Sequence, residues 1–374
     1  MPAPTAPTPP SDLAVRTSPL AAWVLVIFLA AGLLSCAWLM VKGPISYVPA
    51  KVDGDMLLHG DLTHRFAKEL AKAPMAIQAA NLERGGSWLA FGDTGPRVRL
   101  GCPGWLFISD ELRINRHAGA NAQTKAQAVI DLQKQLGQKG IDLQVVVVPD
   151  KSRIAAAQRC GLYRPAALDN RIRDWTTALQ AAGVSALDLT DTLKPLGAEA
   201  YLRTDTHWSE IGANAGAQAL AQRIRQRGIK ATPEQAFDIT HAALAARPGD
   251  LVRLAGLDWL PSKLQPPGES VAASTVHETG GATSNADDLF GDAGLPNVAL
   301  IGTSFSRNSN FIGFLQKALN APVGNFSKDG GEFSGAAKAY FESPAFRQTP
   351  PKLLIWEIPE RDLQTPYDSI NMGQ

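Results

Sequence analysis

Cysteine is scarce in this chain: three of 374 residues, and one of them, Cys36, lies inside an apolar run. Cys102 and Cys160 remain; two cysteines commonly pair in an exported domain, whereas in a cytoplasmic one they stay reduced. The six histidines are scattered and no cysteine or histidine falls into a zinc-ligand spacing, so no metal site is expected. Charge is thin as well. With 19% charged residues and a formal net charge of +1, the chain lacks the basic face that nucleic-acid binding needs, and no such partner is expected.

What the chain has instead is one long apolar run. Residues 20–41 form 22 positions without a charge, including Ile27, Phe28, Leu33 and Leu34, between Arg16 and Lys42. At about 1.5 Å per residue, such a helix spans a bilayer core of about 30 Å. The preceding residues 1–19, rich in proline and small polar residues, read as a disordered tail. Arg16 before the span, with Lys42 and Lys51 after it, gives no clear orientation signal. Leu33-Leu34-Ser35-Cys36 resembles a lipobox, which leaves a cleaved signal open. The apolar run continues through residues 37–41, which favours an uncleaved single-pass anchor.

Beyond the span, apolar and polar residues alternate at two periods. Residues 61–82 read as a helix, and residues 88–107 as short strand-like pieces broken by Gly92, Gly95, Gly101 and Gly104. Residues 124–136 pattern as an amphipathic helix and 143–148 as a strand buried on both faces, ended by Pro149. A helix over 167–182, a short strand at 186–189, and a final apolar strand over 353–358 follow the same plan, while residues 264–286 carry little that forms a core and read as a loop. This alternation implies an α/β sandwich around a doubly wound parallel sheet, in which reactive groups gather at the carboxyl ends of strands.

Two segments supply the side chains of a serine acyl-transfer triad. In Asp205-Thr206-His207-Trp208 the acid and the base are two residues apart, which puts both on one side of an extended segment and well apart on a helix. Ser209 then caps a helix that opens with Glu210 and continues over 213–225. In Gly302-Thr303-Ser304-Phe305-Ser306, a strand over 297–301 leads through a tight turn towards a helix over 310–319. That is the setting of a nucleophile elbow with backbone N–H groups facing an oxyanion. Ser304 is the better nucleophile and Ser306 the better helix cap. The bland alternative is that Gly302 only permits a turn, both serines cap, and His207 is an ordinary histidine beside Trp208. Taken jointly, the two segments favour catalysis by Ser304, His207 and Asp205, since a triad is defined by geometry and not by chain order. Thr303, Phe305, Asn325 and Lys151 are secondary candidates for substrate or oxyanion contact. A strand-end lysine is usually solvated, though, and Asn325 with its following glycines also reads as a turn.

These segments, in order and together with Trp356-Glu357-Ile358-Pro359-Glu360-Arg361 and an earlier Gly104-Trp105-Leu106-Phe107, resemble the alginate O-acetyltransferase AlgJ/AlgX family, whose catalytic domain is similar to SGNH hydrolases. Read from the residues alone, Trp356 to Arg361 holds a structural ion pair near the sheet edge. The resemblance covers residues 52–365 and implies an SGNH hydrolase-like domain over 52–374, with Asp205, His207 and Ser304 as its triad. It further implies O-acetylation of an exopolysaccharide in the periplasm, from the inner membrane, with a membrane-bound O-acyltransferase as the acetyl source and no soluble cofactor. The N-terminal anchor, and the lack of room for a carbohydrate-binding module after residue 365, place the chain nearer the AlgJ branch. A carbohydrate acetylesterase with the same triad and a non-catalytic anchored scaffold are the competing readings.

Overall fold

Strand β3 (Asp142–Val148) carries four valines in succession, and a strand apolar on both faces needs cover on both. In a computed structural model, which describes residues 18–42, 52, 54–279, 294–367 and 370, it receives that cover. The remaining strands in chain order are β1 (Val98–Leu100) and β2 (Leu106–Ile108) before it, then β4 (Ser185–Asp188), β5 (Ala236–His241), β6 (Ala245–Arg247), β7 (Glu269–Val271), β8 (Ser274–Thr279), β9 (Val298–Ile301), β10 (Gly324–Asn325) and β11 (Leu353–Pro359). Five of them form a parallel sheet in the order β10-β9-β11-β3-β4.

The core follows the two-residue period of a strand. Val145 and Val147 of β3, Leu354, Trp356 and Ile358 of β11, and Ala299 and Ile301 of β9 face a cluster completed by the helices Ala118–Gln138, Arg171–Ala181 and Gly335–Phe341. Val146 and Val148, Leu353 and Ile355, and Val298 and Leu300 face the other side, onto the helices Glu210–Gln226 and Phe311–Leu319. The result is the expected three-layer α/β sandwich. Three antiparallel pairs, β1 with β2, β5 with β8 and β6 with β7, stand outside the sheet.

The chain divides into two units, Met1–Gly86 and Ser87–Gln374. In the first, the helix Pro19–Lys42 contains an 18-residue window with a mean hydropathy of 2.6 and is long and apolar enough to cross a membrane, as an anchor or a signal sequence does. The proline-rich tail ahead of it falls outside the described residues, apart from its last two.

Several expected elements differ. The helix expected over 61–82 is two, Asp61–Leu70 and Pro74–Phe91, because Pro74 lacks an N–H and starts a helix more readily than it continues one. The second runs on over residues 88–91, the start of the stretch read as strand-like pieces. Residues 264–286 are not simply a loop: β7 and β8 lie within the described part, paired with β6 and β5 through backbone hydrogen bonds that need no apolar core. Residues 280–286 fall outside the described residues. Strand β11 is interior, between β9 and β3, so the motif that ends it is not at a sheet edge. Cys102 and Cys160 form a disulfide with their Cα atoms 4.8 Å apart.

Candidate active site

Both candidate segments meet at the carboxyl end of the sheet. Strand β9 runs into Gly302 and Thr303, and a short helix, Ser304–Arg307, begins at Ser304. The turn is built around Glu357, a fully buried residue on the neighbouring β11. Its carboxylate accepts the N–H of Thr303 at 2.6 Å, the Thr303 hydroxyl at 3.0 Å to either oxygen, and the Ser306 hydroxyl at 3.0 Å. Burial pushes the Glu357 carboxyl upward, and these donors oppose it. Gly302 is required by this close approach: a Cβ there would come within 2.6 Å of a Glu357 oxygen and 2.9 Å of Ser306 Oγ.

The second segment has no ladder to hold it beyond one bridge, Tyr201 to Trp208. Side chains do the work instead. Glu269 on β7 accepts the N–H groups of Arg203 at 2.9 Å and Thr204 at 3.0 Å. Asp250 accepts the N–H of Thr206 at 2.7 Å and its hydroxyl at 2.6 Å. Lys151, 1% exposed, donates to the carbonyls of Leu106 at 2.6 Å, Arg203 at 2.8 Å and Asp205 at 2.9 Å, with its ammonium 5.1 Å and 5.2 Å from the rings of Trp105 and Phe107. Burial pushes the Lys151 ammonium down to about 8.

Fixed in this way, Asp205 Oδ1 lies 2.6 Å from Nδ1 of His207 and accepts the His207 N–H at 2.9 Å, and Nε2 of His207 lies 2.7 Å from Ser304 Oγ. Burial works to raise the Asp205 carboxyl, yet the His207 ring, the His207 N–H and the nearby Arg247 guanidinium outweigh it and hold the group well below the usual range. Phe305 packs edge-on against the His207 ring at 5.1 Å, and Asn308 donates to the Ser304 carbonyl at 2.8 Å while accepting from Arg247 at 3.2 Å.

The three expected triad residues are thus brought together, and the secondary candidates are placed elsewhere. Thr303 turns both its donors into Glu357 and supports the turn from behind. Phe305 has a buried ring, and its N–H donates to Thr303 Oγ1 at 3.3 Å. Asn325 is the exposed last residue of β10, and its side-chain oxygen accepts the N–H and hydroxyl of Ser327, which closes the strand in a turn. Lys151 is neither solvated nor open to a substrate, because three carbonyls accept its N–H groups. Thr303 caps the Ser304 helix by accepting the Phe305 N–H, and Ser306 serves Glu357 instead. The ion pair read at the end of β11 is larger: Glu360 binds Arg153 at 2.5 Å, Arg171 at 2.9 Å and Arg164 at 3.0 Å.

Asp205, His207 and Asp250 offer ligand atoms within 4.8 Å of one another. They do not suit a metal ion: every carboxylate oxygen of Asp205 and Asp250 already accepts a protein donor, and the Arg247 cation stands 3.8 Å from Asp205 Oδ2. Sequence reading missed Asp250, Glu269 and Arg247. Arg247-Pro248-Gly249-Asp250 signals only a turn and a helix start, and Glu269 lies in the stretch read as a loop.

The chain and its fold have counterparts among known proteins. Residues 98–360 match the family model described as SGNH hydrolase-like domain, acetyltransferase AlgX. The chain is 34% identical over 323 residues to a probable alginate O-acetylase AlgJ of Pseudomonas aeruginosa, covering 83% of this chain and 82% of that one. It is 31% identical over 267 residues to the alginate biosynthesis protein AlgX of the same organism, covering 68% and 54%. The solved O-acetyltransferase domain of Pseudomonas putida AlgJ superposes with a TM-score of 0.64 at 30% identity, over 73% of this chain and 94% of that one. The chain belongs to the SGNH hydrolase-like acetyltransferase family of AlgJ and AlgX and is an O-acyltransferase of that type.

Proposed function

We propose that the chain acetylates hydroxyl groups of an alginate-type exopolysaccharide through an acetyl-serine intermediate. Ser304 is the nucleophile, His207 the general base and acid, and Asp205 the carboxylate that orients the imidazole. The observation carrying this reading is the continuous series from Asp205 Oδ1 to His207 Nδ1 at 2.6 Å and from His207 Nε2 to Ser304 Oγ at 2.7 Å. As Oγ attacks the acetyl carbonyl, Nε2 takes its proton; the tetrahedral adduct collapses and the leaving group departs with that proton. A sugar hydroxyl then gives its proton to Nε2 and attacks the ester carbon, and Ser304 leaves as the alcohol. Protons balance in both halves, and no soluble cofactor takes part.

The relatives named for alginate O-acetylation and alginate biosynthesis support the acceptor class. The apolar helix Pro19–Lys42 supports a single-pass inner-membrane anchor with the catalytic unit in the periplasm, and the Cys102–Cys160 disulfide fits an oxidising compartment. Anchoring would raise the local concentration of emerging polymer, so that a sugar hydroxyl competes with water for the acetyl-enzyme. A membrane-bound O-acyltransferase is the matching acetyl source. The test is the acetyl content of secreted polysaccharide in a Ser304→Ala strain. A fall is expected; a rise would identify an esterase, and no change would leave the scaffold reading.

A further inference from the structure

Asp250 has a position that the three-residue triad does not account for. It comes from a different element, the helix Asp250–Leu254, and its Oδ2 lies 3.8 Å from His207 Nδ1, the nitrogen that already faces Asp205. The link to the reactive segment is reciprocal. Asp250 accepts the Thr206 N–H and hydroxyl at 2.7 and 2.6 Å, while its own N–H points to Asp205 Oδ2 at 3.3 Å. Thr206 Oγ1 in turn lies 3.3 Å from His207 Nδ1, so hydroxyl and both carboxylates surround one ring nitrogen. The approach is as close as backbone permits: at Gly249 any Cβ would collide with the Thr204 carbonyl and come within 2.6 Å of its hydroxyl.

We propose that Asp250 is a second acid of this site, a positioning residue that clamps the Thr206–His207 peptide and places a second negative charge beside Nδ1, so that Asp205 does not act alone. When Nε2 accepts the serine proton, the imidazolium is faced by two carboxylates. The other charged groups around the ring are the Arg247 guanidinium at Asp205, the Lys151 ammonium at the Asp205 carbonyl, and Arg361, whose guanidinium lies 5.2 Å from the Phe305 ring that touches His207. The Asp250 side chain is 27% exposed, so its charge is screened in part but not lost.

This inference rests on the proposed roles of Ser304 and His207, and the experiment separates the two. Hydrolysis of p-nitrophenyl acetate by the detergent-solubilised full chain is followed against pH for Asp250→Asn, Asp250→Glu, Asp205→Asn, the double Asp205→Asn/Asp250→Asn, and Ser304→Ala. Asp250→Asn is expected to lower kcat about tenfold with little change in KM, and to move the acid limb of the profile down by about half a pH unit or more. Asp250→Glu, which keeps the charge, holds the limb in place. In the Asp205→Asn background, removing Asp250 costs more than in the wild type, because no carboxylate then remains at Nδ1. An unmoved limb with activity lost in proportion to folded protein, or a double variant equal to the product of the singles, overturns the assignment. Should Asp250→Asn not fold, Thr206→Val removes only the hydroxyl between the carboxylate and the ring. There kcat falls with the limb in place, and a moved limb or an unchanged kcat refutes the clamp. If Ser304→Ala keeps full activity, the proposed function itself has failed.

Discussion

Replacing Lys151 by methionine keeps the length of the side chain and removes three hydrogen bonds, so its cost follows from the structure. The ammonium donates at 2.6, 2.8 and 2.9 Å to three carbonyls in a site that is 1% exposed. Each lost bond from a charged donor is worth about 1.5–3 kcal/mol, and a carbonyl left buried without a partner adds to that. Against this, methionine is spared the cost of burying an ammonium, which is large enough to push Lys151 down to about 8 from 10.5. The balance expected is a loss of about 2–4 kcal/mol, comparable with breaking other buried charged contacts. Thermal unfolding of the solubilised chain should show it as a transition lowered by roughly 3–7 °C. The pH dependence supplies a sharper test. Between about 8 and 10.5 the unfolded chain holds the Lys151 proton and the folded chain does not, so wild-type stability gains with rising pH through this window. Lys151→Met has no such contribution. The gap between the two proteins should widen from pH 8 to pH 10, and a gap that narrows would show the ammonium form to be the one the fold prefers, refuting the reasoning.

Two further outcomes follow from the same kind of accounting. Glu357→Gln keeps the shape but turns an amide donor towards the N–H of Thr303 and the hydroxyls of Thr303 and Ser306, so kcat for p-nitrophenyl acetate should fall at least about tenfold while KM holds. Wild-type kinetics in this variant would show that the buried carboxylate does not set the nucleophile turn. Cys102→Ser opens a disulfide whose partners are 58 residues apart, which the chain-entropy account values at about 4 kcal/mol; a melting temperature unchanged from the oxidised wild type would contradict it.

The parts of this protein that a reader of the sequence can find are those written in consecutive residues. Four valines in β3 announce a strand buried on both faces because the two-residue period is local, and Asp205 with His207 announces an extended acid-base pair for the same reason. Ser304 stands out as a candidate nucleophile from a strand, a glycine and a serine in succession. Where local signals misled, a tertiary contact had decided the outcome. Lys151 looked like a solvated strand end until the carbonyls of Leu106, Arg203 and Asp205 closed over it, and Ser306 looked like a cap until Glu357 reached it from the next strand.

A common physical problem explains why the missed residues are mostly carboxylates. The loop from Arg203 to His207 and the turn at Thr303 must be rigid enough to hold a 2.7 Å contact between Ser304 and His207, yet their N–H groups have no neighbouring strand to bind. A carboxylate accepts several such donors at once and binds them more strongly than a neutral oxygen does. Glu269 therefore serves Arg203 and Thr204, Asp250 serves Thr206, Asp205 serves His207, and Glu357 serves Thr303. Three of these four acids lie more than 40 positions from the groups they hold. No pattern in the sequence joins an acid to an amide at that distance, because the amide is present at every residue except proline. The candidate reactive residues are thus readable by their chemistry, and the residues that hold them in place only by the fold.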